Sequence, residues 1–194
     1  MFLSGFMQEK IIVFEGLDGS GTTTQSKLLK EHFGEKALLT KEPTDSDIGK
    51  LIRSCLQKEI TIPSLALQML FTADRAHHLE AELEPALKEG KIVICDRYIL
   101  STYAYSIDID IVKKMNSSFR KPDITFFIDT PPEICMKRIE NSRQETELFE
   151  QIDKLKKIRE QYLEHINDFP NVHIIDGQKD INKINEEIKK ILQD

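Results

Sequence analysis

Apolar residues in this chain gather into short unbroken runs. Four of them, residues 11–14, 92–95, 124–128 and 172–175, are continuous rather than alternating. A strand covered on both faces has no polar side to show, so such runs predict the buried strands of a parallel sheet. Residues 37–40 form a fifth, weaker run. Helical patterning falls between the runs, over 22–33, 47–57, 64–88, 101–116, 132–140, 150–167 and 180–192. Strand and helix alternate over the whole length, which predicts an α/β fold with right-handed crossovers. The stretch 141–150, "NSRQETELFE", is polar between two helical patterns and is the candidate for a short lid.

In such sheets ligands sit beyond the carboxyl ends of the strands, so chemistry belongs in the residues that follow each run. The first run leads into "FEGLDGSGTTTQ". Its spacing, Gly16-x-x-x-x-Gly21 between a strand and a helix, is that of a loop whose backbone amides cradle phosphates. The candidate ATP phosphate-binding residues are Gly16, Leu17, Asp18, Gly19, Ser20, Gly21, Thr22, Thr23 and Thr24. Thr23 stands where a hydroxyl holds Mg²⁺, but Thr22 occupies the place of the usual lysine. A charge aimed at the transferring phosphoryl group stabilises the transition state, and losing such a donor costs about 10²–10³ in turnover. A working enzyme needs a cation from elsewhere.

Further on, Phe71 and Arg75 lie four apart within "MLFTADR" and share one helix face, a ring and a guanidinium suited to stacking on a base and bonding its edge. The alternative is a core phenylalanine and an arginine paired with Asp74 or Glu82. After the third run, "DRY" places Asp96 where an acidic group can orient Mg²⁺ and its waters, and Arg97 where a guanidinium can clamp a phosphate. A strand-end ion pair is the alternative.

Composition narrows the class. A chain of 194 residues with 40% apolar content can build one domain, and we expect residues 1–194 to be a single one with 1–6 a frayed extension. A net charge of −6 does not favour nucleic acid. Cys55, Cys95 and Cys135 show neither zinc spacing nor C-x-x-C, which suits reduced thiols in a cytoplasm. The amino-terminal residues lack the marks of a signal peptide, and no run reaches membrane-spanning length.

Together the pieces "FEGLDGSG" (14–21), "KEPT" (41–44), "IGKLIR" (48–53), "MLFTADR" (69–75) and "DRYILSTYAYS" (96–106) resemble the thymidylate kinase family, in family order and at family spacing. The resemblance implies a P-loop NTPase fold with a five-stranded parallel sheet flanked by helices on both faces. It implies transfer of the γ-phosphoryl group of ATP, the co-substrate, to dTMP with Mg²⁺, and a homodimer. It further implies that Phe71 stacks on thymine, Arg75 bonds the base edge and Arg97 grips the dTMP phosphate. Asp18 faces the sugar and phosphate of dTMP, and Tyr105 packs under the deoxyribose. Ser101 and Thr102 lie near the base, Pro43 shapes the pocket and Arg53 lies near the acceptor phosphate. The chain departs from the family pattern at Thr22, at Lys41 in place of arginine, and at Leu148 in the lid. Arg138 and Arg143 are then the candidate lid cations, joining Asp18 and Arg97 as catalytic residues. An adenine pocket is expected near residues 176–180. Two alternatives stay open: another nucleoside monophosphate as acceptor, or a nucleotide-binding relative without catalysis.

Overall fold

The computed structural model of the chain describes residues 9–139 and 145–193, and the side chains of 145–150 are not part of that description. Five parallel strands make one sheet: β1 (Ile11–Gly16), β2 (Ala37–Lys41), β3 (Ile92–Asp96), β4 (Ile124–Asp129) and β5 (Val172–Asp176). Their order is β2-β3-β1-β4-β5, so β1 is the central strand. Every residue of β1 is buried. Period-two alternation sends Ile11 and Val13 into one core and Ile12 and Phe14 into the other. By the same alternation Glu15 falls on the Ile11–Val13 side, a carboxylate carried into a dry layer.

The register aligns the chemistry. Phe14 sits opposite both Asp96 and Phe126, and Lys41 opposite Asp96, so the strands end at one level. The loop after β1 and the Asp96–Arg97 corner are therefore neighbours. On the Phe14 face, α1 (Thr22–Phe33) packs with α9 (Ile181–Ile191). The Val13 face is covered by apolar side chains of α4 (Glu84–Lys88), α5 (Ile99–Ala104), α6 (Ile109–Asn116), α7 (Pro132–Ile139) and α8 (Glu145–His165). Two further helices, α2 (Asp47–Leu56) and α3 (Ser64–His78), stand beside one another at the β2–β3 side.

Three predicted helices differ from those observed. The helix expected over 64–88 is interrupted by a π-helical turn, Leu79–Leu83, before α4. Pro85 has no N–H to offer the carbonyl four residues back, and the Glu84 amide bonds instead to the Leu79 carbonyl. The helix expected over 101–116 divides into α5 and α6, because Asp108 turns its side chain onto the Ile111 amide and starts a new helix. The third, expected from 150, begins at Glu145, inside the stretch read as a lid.

Phe14 is fully buried and stacks on Phe126 with ring centroids 5.5 Å apart. Phe14→Ala should cost about 3–5 kcal/mol of stability, read as a lowered urea midpoint with an unchanged slope.

Candidate active site

The loop after β1 turns on glycines where side chains cannot fit. A Cβ on Gly16 would meet the Ile128 carbonyl oxygen at 2.9 Å, and one on Gly19, at φ 80°, would meet the Cys135 oxygen at 2.6 Å. Helix α1 then opens at Thr22 with Gly21 as its cap; no side chain caps it and its first turn carries no acid. Its first amides are left for an anion, with the helix dipole behind them.

A cavity of about 450 Å³ lies over this loop. Asp18, Gly19, Ser20, Gly21, Thr22, Thr23 and Thr24 line it. The other two expected phosphate residues do not: Gly16 ends β1, and the Leu17 side chain is buried in the core. They shape the turn. Thr22 is itself buried, a hydroxyl on the cavity wall where a lysine would reach across. Arg138 forms another wall. Its Nη1 donates to the Ser20 carbonyl at 3.0 Å and its Nη2 to the Gly177 carbonyl at 2.9 Å, tying the loop to the end of β5. Within the region expected to hold adenine, Gly177 and Lys179 line the cavity. Arg143 lies outside the described residues, as does the side chain of Leu148.

Thr23 and Asp96 meet at the mouth, the threonine hydroxyl donating to Asp96 Oδ2 at 2.5 Å. Asp96 Oδ1 is buried with no hydrogen-bond partner. Hard oxygen donors with one carboxylate oxygen uncommitted fit Mg²⁺, which takes one or two protein ligands and leaves the rest to phosphates and water. Among the described residues no cluster of three or more His, Cys, Asp or Glu could hold a metal unaided.

A larger cavity, about 740 Å³, adjoins the first. Asp18, Pro43, Arg53, Phe71, Arg75, Arg97, Ser101, Thr102 and Tyr105 all line it, with Lys41 and Asp96. Phe71 is half-buried, and the Tyr105 hydroxyl is buried, with the Arg97 guanidinium 5.8 Å over its ring. Arg53 spends Nη1 on the carbonyls of Pro43 (3.1 Å) and Thr44 (2.6 Å), so it also straps the loop after β2. Asp74 does not pair with Arg75; it accepts from the Thr44 amide at 2.7 Å and the Thr44 hydroxyl at 2.6 Å. Arg75 instead donates to Glu42 Oε2 at 2.6 Å and to the Thr102 hydroxyl at 2.8 Å.

The two cavities share Asp18 and Arg97. Arg97 takes a left-handed backbone, φ 73°, costly for a side chain of this size and found most often where function requires it. Its Nη2 donates to Asp18 Oδ1 at 2.7 Å and its Nη1 to the Tyr162 hydroxyl at 3.3 Å. Burial alone would lower its pKa, but Tyr162, Tyr105, Asp18 and Glu15 around it hold the charge firmly in place. Beneath lies Glu15, which accepts from the Tyr98 amide at 2.9 Å and from the hydroxyls of Ser101 and Tyr162. Burial pushes the Glu15 carboxyl up. The one hydroxyl hydrogen of Tyr162 on α8 is shared between Glu15 and the nearer Gly16 carbonyl at 3.1 Å, so it ties α8 to the phosphate loop. Sequence reasoning missed Glu15, Tyr162 and two lysines of α8, Lys154 and Lys157, which also line the larger cavity. A glutamate ending a fully apolar run was a usable signal; nothing marked the tyrosine.

A family model described as thymidylate kinase matches residues 14–188. The chain belongs to the thymidylate kinase family. A "probable thymidylate kinase" of Pyrococcus horikoshii is 39% identical, over 96% of this chain and 97% of that one. One from Thermococcus kodakarensis is 37% identical, over 94% and 96%. The crystal structure of thymidylate kinase from Ehrlichia chaffeensis superposes with a TM-score of 0.76 at 30% identity, covering 94% of this chain and 98% of that one. Membership in the thymidylate kinase family makes the protein a nucleoside monophosphate kinase, a phosphotransferase, with the P-loop NTPase fold.

Tyr162→Phe removes the donor to Glu15 and Gly16 while keeping the ring. It should destabilise the fold by about 1–3 kcal/mol, measured by chemical denaturation beside the wild type.

Proposed function

We propose that the protein transfers the γ-phosphoryl group of ATP to dTMP, giving dTDP and ADP for dTTP synthesis. The observation that carries this reading is the meeting of the two cavities at Asp18 and Arg97. One has amides and a helix N-terminus for polyphosphate; the other has an aromatic ring, a buried guanidinium and a buried hydroxyl for a nucleoside. Two nucleotides seated there place donor and acceptor phosphates end to end, and positioning supplies most of the catalysis in such transfers.

ATP phosphates lie along residues 19–24, with Arg138 beside them. Thr23 and Asp96 would hold Mg²⁺, which when bound neutralises charge on the donor phosphates. Phe71 stacks on the thymine, Arg75 and Thr102 face its edge, and Tyr105 packs under the sugar. Arg97 grips the dTMP phosphate, and Asp18 orients Arg97 and the acceptor. The charge missing at Thr22 comes from the acceptor side: Lys154 and Lys157 are exposed, line that cavity and make no ion pair among the described residues. Arg143 is the further candidate. We read residues 1–194 as one cytoplasmic kinase domain, in keeping with three free cysteines, and as half of a homodimer. Among the described residues no helix is long and apolar enough to cross a membrane.

ADP release with ATP, Mg²⁺ and each of dTMP, dUMP, dCMP, dGMP and thymidine tests the reaction. Turnover should be fastest on dTMP; none above a no-enzyme control would leave a nucleotide binder. Replacing Lys154 and Lys157 together by alanine should lower kcat by about 10²-fold, and adding the lysine back as Thr22→Lys should restore part of it. Unchanged kcat in the double variant would move the compensating charge to Arg138 or Arg143. Leu51, Leu65 and Met69 expose apolar side chains on α2 and α3, the face we assign to the second copy. Met69→Glu should shift sedimentation from dimer to monomer; an unchanged dimer would place the interface elsewhere.

A further inference from the structure

Arg75 has only 1% of its side chain exposed, so its place in the acceptor cavity is set by what lies behind it. Glu42 holds Arg75 through Oε2, and its other oxygen, Oε1, faces His78 Nδ1 at 3.1 Å. The second ring nitrogen, Nε2, faces the Thr40 hydroxyl at 2.8 Å and Glu82 Oε2 at 3.3 Å. Thr40 has one hydroxyl hydrogen, and when Glu82 Oε2 at 3.1 Å takes it, the hydroxyl accepts from His78. Ionised Glu42 and Glu82 only accept. A carboxylate faces each ring nitrogen, and the ring that satisfies both is the one with two N–H groups, an imidazolium. A neutral ring would aim a lone pair at a carboxylate in a site where His78 is 1% exposed.

We propose that His78 is a positioning residue for acceptor recognition: its imidazolium fixes the Glu42 carboxylate, and Glu42 in turn holds Arg75 against the nucleobase. This rests on the reading that Arg75 faces the dTMP base. His78 touches no substrate. It completes a row of alternating charge, Arg75, Glu42, His78 and Glu82, from the cavity to the surface. A row of this kind keeps the buried guanidinium paired when the cavity is empty, with Asn116 Oδ1 accepting from its Nη1 as well. Arg75 Nε is buried without a partner.

The surrounding groups do not disturb this. Cys95 of β3 is kept neutral by burial, and burial likewise pushes up Tyr98, whose ring lies 5.0 Å beneath the Arg75 guanidinium. Asp45 faces Glu82 from the loop after β2. Burial would lower the His78 pKa, but hydrogen bonds to Glu42 and Glu82 outweigh it and raise the ring to about 9. A raised folded pKa means the stabilisation is whole below the ordinary value of 6.5 and is lost as pH climbs through about 9. Affinity for the acceptor follows the same window.

The test pairs ring-labelled histidine NMR on the full-length wild type with steady-state kinetics of the wild type, His78→Gln and Arg75→Ala. The His78 ring should be doubly protonated at neutral pH and titrate near 9. His78→Gln should raise the KM for dTMP by about 10-fold or more, the loss of one charge-assisted hydrogen bond, with kcat and the KM for ATP nearly unchanged. The wild type's KM for dTMP should climb in alkaline solution, and the variant's should not. A neutral ring at neutral pH, a flat alkaline KM in the wild type, or equal losses for ATP and dTMP overturns the proposal. The two NMR and pH readouts stand even where His78→Gln does not fold. If Arg75→Ala leaves the KM for dTMP unchanged, the reading of the acceptor site falls and this inference with it. If Arg75→Ala raises that KM and His78→Gln does not, only the role of His78 falls.

Discussion

The Arg97 guanidinium sits where the two cavities meet, 2.7 Å from Asp18 of the phosphate loop and braced by Tyr162 of α8. A half-buried charge is held best where its partners are fixed, because a charge drawn out of water costs free energy unless it is paired. Much of the surrounding structure meets that requirement. Glu15 reaches the layer beneath because β1 alternates. Ser101 and Tyr162 satisfy its oxygens, and Arg97 bends into a left-handed backbone that aims its side chain back across the end of β1. The sheet register, with Phe14 opposite Asp96, brings the loop and the clamp to one edge.

Another ion pair, Arg75 with Glu42, is buried on both sides and stands at the far side of the larger cavity. Both guanidiniums line the larger cavity. Charge is thereby stored at the acceptor side of the site. This bears on Thr22: the phosphate loop has lost a cation, whereas the acceptor cavity carries Arg97, Arg75, Lys154 and Lys157. On the donor side Arg138 lies against loop carbonyls, where it closes the cavity and adds positive potential.

The strands were legible because a sheet covered on both faces leaves unbroken apolar runs, and even the weak run at 37–40 became an edge strand, β2. Helix existence was legible as well, but interruptions were not. Pro85 and Asp108 act on single backbone hydrogen bonds, which leave the apolar spacing on either side unchanged. The expected residues that line the larger cavity could be named because they fall in short motifs that resemble the family's. Their supports could not. Tyr162 lies on a helix whose apolar stripe looks like ordinary core, and His78 looks like a surface histidine until the fold sets Glu42, Thr40 and Glu82 around it. Leu17 stands inside a binding motif with its side chain in the core, so only its backbone is free to serve the loop.

The two-cavity arrangement centred on Asp18 and Arg97 is tested most directly by calorimetric binding of an adenosine and a thymidine joined through a chain of phosphates. Such a ligand spans both cavities only if they meet end to end, and it then gains the effective concentration of a linked pair. One molecule should bind per chain, about 10²-fold or more tighter than ATP or dTMP alone, and competition should be complete with either nucleotide. Binding no tighter than a single nucleotide, or competition with only one of them, would contradict a shared site at Arg97.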